Sequence, residues 1–377
     1  DLRGEYRLAN AGELRLKIAR NDYRHVELEG DEIGTMFESE GLDTRLEFQH
    51  RPVGNVEGAI GLQHKYVDFI AEGEEAFVPP SETRQTNLFA FEEWQPDDFW
   101  TLQGSARIEQ VKIDAPDLPS YDDSAFGVSV GFIRSLGDSH SVSVNYALTE
   151  RHPNASELYA DGPHVAVQRF ERGSVTQDGS LFDKETSSNI DLTFRGETSR
   201  IEWNLTAFLN DVDDYILLRP TALIEDELPV FEYAQTDARL YGFEGEARIE
   251  LLDSDSGHLH TRLFSDYVRG EDDATGDNLP RITPLRYGVG LHFTNGGFEA
   301  AAEATFHDDQ DKTAPNELAT DSYTLVSAEV SYALQDPDVF VFLRGTNLTD
   351  EDARQHASPL KDLVPLPGRS LQLGLRY

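Results

Sequence analysis

The stretch YGFEGEARIEL at residues 241–251 alternates between apolar and charged residues. Tyr241, Phe243, Ile249 and Leu251 share one parity, and three glutamates and an arginine occupy the other. A period of two is typical of a β-strand that has one apolar face and one charged face. The same alternation recurs at residues 201–210, 298–307, 326–334 and 371–377. Because no comparable stretch has a helical period, the sequence predicts an all-β chain.

Composition excludes several classes of protein. The 377 residues carry 32 Lys and Arg against 70 Asp and Glu, a formal charge of −38. Phosphate binding needs clustered basic residues, so nucleic acid is not an expected partner. The absence of cysteine excludes disulfides, thiolate metal sites and cysteine nucleophiles. The 21 Phe, 14 Tyr and 3 Trp are too many aromatic residues for a disordered chain. No run approaches the roughly 20 apolar residues of a membrane-spanning helix.

The connections between strands predict how the sheet closes. Short polar turns alternate with long acidic loops at residues 25–41, 71–83, 114–123, 152–184, 219–230, 271–280, 310–320 and 348–369. This plan is typical of an antiparallel transmembrane β-barrel with short periplasmic turns and long extracellular loops. Lipid offers no partner to an open sheet edge, so a membrane sheet must close. A soluble β-sandwich and a β-solenoid are the alternatives.

About 16 strands are predicted, and the alternation gives their approximate bounds. They lie near residues 13–24, 42–50, 56–70, 84–94, 97–113, 124–136, 138–151, 185–197, 200–218, 231–252, 257–270, 281–295, 297–309, 321–334, 337–347 and 370–377. Several exceed the usual 3–10 residues of strands in globular proteins. They suit tilted strands that extend beyond a bilayer.

The two chain ends predict the orientation in the membrane and the processing of the chain. The last stretch, LQLGLRY at residues 371–377, is similar to the C-terminal signature of bacterial outer-membrane proteins. That likeness places the short turns on the periplasmic side and the long loops outside the cell. The chain begins at Asp1 with neither Met nor a signal peptide, so a mature or trimmed product is expected.

Four stretches resemble TonB-dependent outer-membrane receptors: ERHPNASELY at 150–159, KETSSNID at 184–191, GTNLTD at 345–350 and PGRSLQLGLRY at 367–377. Within that superfamily, four loop motifs are most similar to ZnuD-type zinc receptors: HVELE at 25–29, GEEAFVPP at 73–80, ADGPHVA at 160–166 and RQHASPLKD at 354–362. The resemblance implies a monomeric transporter in the lipid bilayer that takes up a metal ion, with zinc as the first candidate. It implies no enzyme activity.

The chain departs from the family pattern in its length. Receptors of this kind have a 22-stranded barrel, an N-terminal plug domain and a TonB box. The resemblance therefore implies that residues 1–377 are the C-terminal part of a barrel, with the plug and first strands missing. Coupling to the TonB system would then pass only through the missing plug.

The loop at residues 152–184 holds the first set of candidate metal ligands. Without cysteine, zinc is bound by His nitrogen and carboxylate oxygen. His164, Glu157 and Asp161 supply these atoms, Gly162 permits a close backbone approach, and Pro163 fixes the chain beside the histidine. The resemblance implies a second His at the position of Asp161. A carboxylate is a harder ligand than an imidazole, so Asp161 weakens the assignment to zinc relative to other cations. The alternative is a turn with a solvated histidine.

Further candidates lie in other loops. His25, Glu27 and Glu29 are two apart, so they share one face of an extended segment, and His25 with Glu27 would add to the His164 site. His307 and Asp308 begin an acidic stretch, and His356 lies in a long acidic loop; for both, solvated side chains are the alternative. His152 also falls in a predicted loop, and the six histidines on strands or at periplasmic turns are predicted to be structural: His50, His64, His140, His258, His260 and His292.

Three functional hypotheses follow. The first is a metal receptor with no tightly bound cofactor, in which Zn²⁺ is the cargo and acidic loops raise the local cation concentration. The second is a haem or iron-siderophore receptor of the same superfamily, lined by Tyr121, Tyr159 and Tyr233. The third is a passive 16-stranded porin or a purely structural barrel. No catalytic triad is recognisable, so no catalytic residue is predicted.

Overall fold

The computed structural model describes residues 1–29, 32–73, 75–335 and 338–377. These residues form 19 strands, two short α-helices and one 3₁₀ helix of three residues, Val165–Val167. In chain order the elements are β1 (Leu2–Leu8), β2 (Gly12–Glu29), β3 (Glu32–His50), β4 (Val56–Gly73), β5 (Ser81–Asp97), β6 (Trp100–Asp114), β7 (Tyr121–Ser135), β8 (His140–Arg151), α1 (Ala155–Tyr159), β9 (Asp161–His164), β10 (Arg169–Arg172), α2 (Ser174–Asp178), β11 (Glu185–Glu197), β12 (Ile201–Glu225), β13 (Leu228–Ser254), β14 (Gly257–Asp272), β15 (Arg286–Asn295), β16 (Phe298–His307), β17 (Tyr323–Gln335), β18 (Asp338–Thr346) and β19 (Ser370–Arg376).

The chain divides into two compact units, with residues 1–133, 145–190 and 210–238 in the first, and residues 134–144, 191–209 and 239–377 in the second. In the first unit, β1 to β6 pair with their chain neighbours in antiparallel ladders. In the second unit, β14 to β19 do the same. Antiparallel neighbours joined along the chain make an up-and-down sheet, as the sequence predicts.

All 16 predicted strands are present, and the number of strands is larger than predicted. The structure adds β1, whose seven residues precede the first predicted strand. It also adds β9 and β10, two four-residue strands inside the 152–184 loop. The sequence does not predict these short strands, because four residues are too few to show a period of two.

Two of the predicted loops are largely strand. The predicted loop 219–230 is wrong, because β12 runs to Glu225 and β13 starts at Leu228. Asp226 and Glu227 join them with φ angles of 49° and 65°, the left-handed values that a two-residue hairpin turn needs. Most of the predicted loop 25–41 likewise belongs to β2 and β3.

Side-chain exposure is inverted relative to a water-soluble protein. Along β5, Asn87 is 2% exposed while its neighbour Leu88 is 49% exposed. Along β17, Ser331 is buried between exposed Val330 and Tyr332. On β19, Leu373 is 75% exposed. Apolar residues that face outward beside polar residues that face inward fit lipid outside and a polar interior. The pattern argues against the soluble β-sandwich.

Within the described residues, no helix has the length or hydrophobicity to cross a bilayer.

Candidate functional site

The 152–184 loop folds into a compact insertion with its own apolar core. Leu158 and Tyr159 of α1 are almost fully buried, together with Val175 of α2. Gly173 lets the two helices meet, because a Cβ there would lie 2.4 Å from the Leu158 carbonyl carbon and oxygen. Strand β10 also pairs in parallel with β13, with Phe170 opposite Val230. The insertion therefore holds its side chains in fixed positions.

The motif at residues 150–159 anchors this insertion to the strands. Asn154 caps α1 through a capping box with Glu157. Arg151 donates to Glu157 Oε2 and Oε1 at 3.0 and 3.2 Å, and to Glu185 Oε2 at 2.5 Å. The residues that resemble the receptor family thus include a structural network that fixes the start of the loop.

Glu171 of β10 is the centre of the best-defined polar cluster in the insertion. Its side chain is 2% exposed. Oε1 accepts hydrogen bonds from His164 Nδ1 at 2.9 Å and Arg169 Nε at 2.7 Å, and Oε2 accepts one from the Tyr233 hydroxyl at 3.3 Å. Burial opposes the charge, but His164 and Arg169 outweigh it and hold the pKa of Glu171 below its usual range. Glu171 is therefore an ionised, fully hydrogen-bonded carboxylate.

This carboxylate fixes the orientation and the tautomer of His164. Glu171 is ionised and can only accept, so the His164 ring donates from Nδ1, and in its neutral form it has the lone pair on Nε2. The ring stacks on Phe77 with centroids 4.3 Å apart. A Cβ on Gly162 would lie 3.0 Å from the α-carbon of Phe77, so the predicted close approach at Gly162 is confirmed. A histidine that donates its other ring N–H to a carboxylate is the usual arrangement of a metal ligand.

The three ligands predicted in this loop do not converge. Both oxygens of Glu157 are held by Arg151 and the Asn154 N–H. Asp161 lies opposite Arg172 in the β9–β10 ladder, whereas His164 lies opposite Arg169. Among residues 1–29, 32–73, 75–335 and 338–377, no three His, Asp or Glu side chains are grouped so as to hold a metal ion. The grouping of Glu157 and Asp161 with His164 is therefore corrected to His164 with Glu171 behind it.

His25 and Glu27 lie on β2 and share one face, as predicted from their spacing. The His25 Nε2 atom is 3.6 Å from Glu27 Oε1. The His25 ring stacks on Phe37 with centroids 4.6 Å apart. Glu29 ends the same strand, and its side chain lies outside the described residues. Since no three-ligand group includes them within the described part of the chain, His25 and Glu27 stay predictions.

His307 and Asp308 stand at the end of β16. The His307 ring stacks on Tyr323 with centroids 4.3 Å apart, so it is not a freely solvated side chain. Asp308 is exposed, and its backbone N–H donates to the Leu285 carbonyl. The cation-collecting role of this pair stays a prediction.

His356 is buried, which excludes the solvated alternative for this residue. Nε2 lies 3.2 Å from Glu317 Oε1 and Nδ1 lies 3.0 Å from Thr320 Oγ1. Glu317 also accepts the backbone N–H groups of Arg281 and Ala314. Burial opposes its charge, yet His356 and these N–H groups lower the pKa of Glu317. The pair ties the 347–369 loop to its two neighbouring loops.

The three tyrosines considered for haem or siderophore binding have other contacts. Tyr159 is buried and its hydroxyl donates to the Pro119 carbonyl at 2.8 Å. The Tyr121 hydroxyl is 2.9 Å from His152 Nδ1, and that of Tyr233 donates to Glu171. Tyr121 and Tyr159 therefore serve packing, and Tyr233 belongs to the Glu171 cluster.

Solved structures share this fold. The chain is similar to a structure described as the copper transporter OprC, with a TM-score of 0.83 and 15% identity over 98% of this chain and 63% of that one. It is similar to the FrpB iron transporter from Neisseria meningitidis, with a TM-score of 0.75 and 13% identity over 98% and 61% of the two chains. It is also similar to FpvA of P. aeruginosa in a complex with a heterologous pyoverdine and iron, with a TM-score of 0.69 and 15% identity over 98% and 54%. The chain thus spans between 54% and 63% of these structures.

The family model described as "TonB dependent receptor-like, beta-barrel" matches residues 4–348. This match covers most of the chain, and it agrees with the antiparallel strands and the outward apolar face. The chain therefore belongs to the TonB-dependent receptor-like family of outer-membrane β-barrels.

Proposed function

We propose that this chain is the barrel part of a TonB-dependent transporter that captures a metal ion, with zinc as the first candidate. The observation that carries the proposal is His164, whose Nδ1 is 2.9 Å from the buried Glu171 carboxylate. This contact fixes Nδ1 as the donor, so that in the neutral ring the Nε2 lone pair is the one that a cation can bind.

Electrostatics supports a positively charged cargo. The formal charge of −38 raises the local concentration of cations and speeds their capture, an effect that salt weakens. His164 is partly exposed, so an ion can reach it from solvent. One histidine is too few for zinc, which usually takes four ligands. We propose that His25 and Glu27, or a plug domain in a longer protein, supply the remaining ligands and that the plug provides TonB coupling.

A receptor for an iron complex is the second candidate. Similar solved structures are a copper transporter, an iron transporter and a ferric-catecholate import receptor. Arg169 and Arg172 lie on the same short strand as Glu171 and carry positive charge suited to an anionic chelate. Both are already paired with carboxylates, which favours the metal ion over the chelate.

Zinc titration calorimetry on the detergent-refolded chain tests the proposal. We expect saturable zinc binding that His164→Ala weakens at least about tenfold, because a ligand is lost. Iron and manganese serve as comparison ions, and His64→Ala serves as a matched histidine control on a strand. Zinc binding that His164→Ala leaves unchanged would contradict the proposal. A visible absorbance change with haem or a ferric siderophore, without zinc binding, would favour the second candidate.

A further inference from the structure

Two imidazoles face each other on adjacent strands of the second compact unit. His260 of β14 and His292 of β15 are directly opposite each other in the antiparallel ladder. Their ring centroids are 4.9 Å apart. Both belong to the parity that carries polar side chains, and both line an open cavity of about 460 Å³ together with Glu303 and Glu329. They lie near the short turns that follow β13 and β15.

We propose that His260 and His292 form a binding site for a divalent first-row transition ion. Two imidazoles bound to one ion through bonds of about 2.0–2.1 Å, at a near-tetrahedral angle, have centroids roughly 5 Å apart. The observed centroid separation of the two rings is close to this value. Imidazole suits copper, nickel and zinc, and copper binds such donors most tightly.

The contact between His260 and Arg248 shows that the His260 ring accepts a hydrogen bond from a cationic side chain. Arg248 Nη2 lies 3.4 Å from His260 Nδ1, and a guanidinium can only donate. This nitrogen therefore directs a lone pair at a positive charge. A metal ion at Nδ1 takes the place of Arg248, which keeps its hydrogen bonds to Glu250 at 3.2 and 3.1 Å. Water completes the coordination, since no third protein ligand is grouped with the pair among the described residues.

This proposal is independent of the loop site. His164 belongs to the first compact unit and lies in a long connection, whereas His260 and His292 belong to the second and lie near short turns. Single substitutions therefore separate the two sites. His164→Ala would remove the loop site alone, and His260→Ala or His292→Ala would remove the paired site alone.

Copper titration calorimetry on the refolded chain, with nickel and zinc as further ions, tests the pair. We expect His260→Ala and His292→Ala each to weaken this binding event at least about tenfold, the change that loss of one of two ligands implies. Arg248→Gln removes the competing cation and should tighten binding. His64→Ala, a strand histidine whose Nδ1 contacts Thr86 Oγ1, should leave it unchanged. Binding altered less than twofold by both pair substitutions would overturn the proposal.

A measurement on the unaltered chain covers the case in which a variant does not refold. Diethylpyrocarbonate modifies accessible imidazoles, and mass spectrometry locates the modified residues. We expect copper to protect His260 and His292 together, while His64 stays reactive. Equal modification of the pair with and without copper would refute the site.

Discussion

Replacing Glu171 by glutamine removes the charge that orients His164 without changing side-chain volume. In the native cluster, Glu171 accepts from His164 and Arg169 at 2.9 and 2.7 Å. A glutamine keeps only one accepting oxygen. If its NH₂ group meets His164 Nδ1, the proton on the ring moves to Nε2 and blocks the metal-binding lone pair.

The expected loss of zinc affinity follows from the hydrogen bond that a metal-binding histidine donates through its other ring nitrogen. Removing such a partner costs about 10- to 100-fold in metal affinity, which corresponds to about 1.4–2.7 kcal/mol. Each charge-assisted hydrogen bond contributes about 1.5–3 kcal/mol, so the insertion also loses local stability. The hydrogen bond from Tyr233 is the side-chain contact that connects Glu171 to the long strand β13. Because a glutamine oxygen can still accept this bond, the long strands should refold normally.

Zinc calorimetry on Glu171→Gln measures this loss, with Asp98→Asn as a charge-matched control. Asp98 is exposed at a short turn, so its loss should not alter zinc affinity. Limited proteolysis of the 152–184 loop reports whether the insertion still folds. Zinc affinity within threefold of the native value, in a variant with an intact loop, would refute the role assigned to Glu171.

Three further predictions concern packing, pH and the lipid face. Gly173→Ala should loosen the insertion by about 1–3 kcal/mol, since its Cβ would meet the Leu158 backbone at 2.4 Å, and faster proteolysis of the loop would show this. The pKa of Glu317 is lowered, so its stabilising interactions are present above the ordinary value of 4.5 and are lost as pH falls through the lower folded-state pKa. Protection of backbone amides against exchange in the three joined loops, measured relative to the intrinsic exchange rate, should therefore fall in acid, and Glu317→Gln should abolish that pH dependence. Protection that does not change with pH in the native chain would contradict this prediction. Leu373→Arg on the 75% exposed lipid face should cost about 2–4 kcal/mol in a bilayer unfolding titration, whereas Gln372→Arg on the opposite parity should cost far less; equal costs would contradict the lipid-facing assignment.

The strand pattern was predictable because it depends on local alternation. Residues 241–251 show both faces of β13 directly, and the structure confirms the strand. The turn at Asp226 and Glu227 was not predictable in this way. Both residues adopt left-handed φ angles without a glycine, so the sequence carries no glycine signal for a tight turn there.

The candidate site was predicted in part. His164 was found from its motif, but Glu171 was missed, although Arg169 and Glu171 alternate along β10 and share a face. Glu157 was misassigned because a carboxylate three residues after Asn154 is also the signature of a capping box. The facing of His260 and His292 depends on the register of strands joined by a long loop, which a sequence does not specify.

The central claim is that a metal ion binds His164 through Nε2 while Nδ1 is held by Glu171. Anomalous diffraction at the zinc edge, from crystals of the refolded chain grown with zinc, tests it most directly. We expect an anomalous peak about 2.0–2.1 Å from His164 Nε2, with the Glu171 contact retained. A zinc peak on Nδ1, or zinc bound elsewhere with His164 unligated, would contradict it.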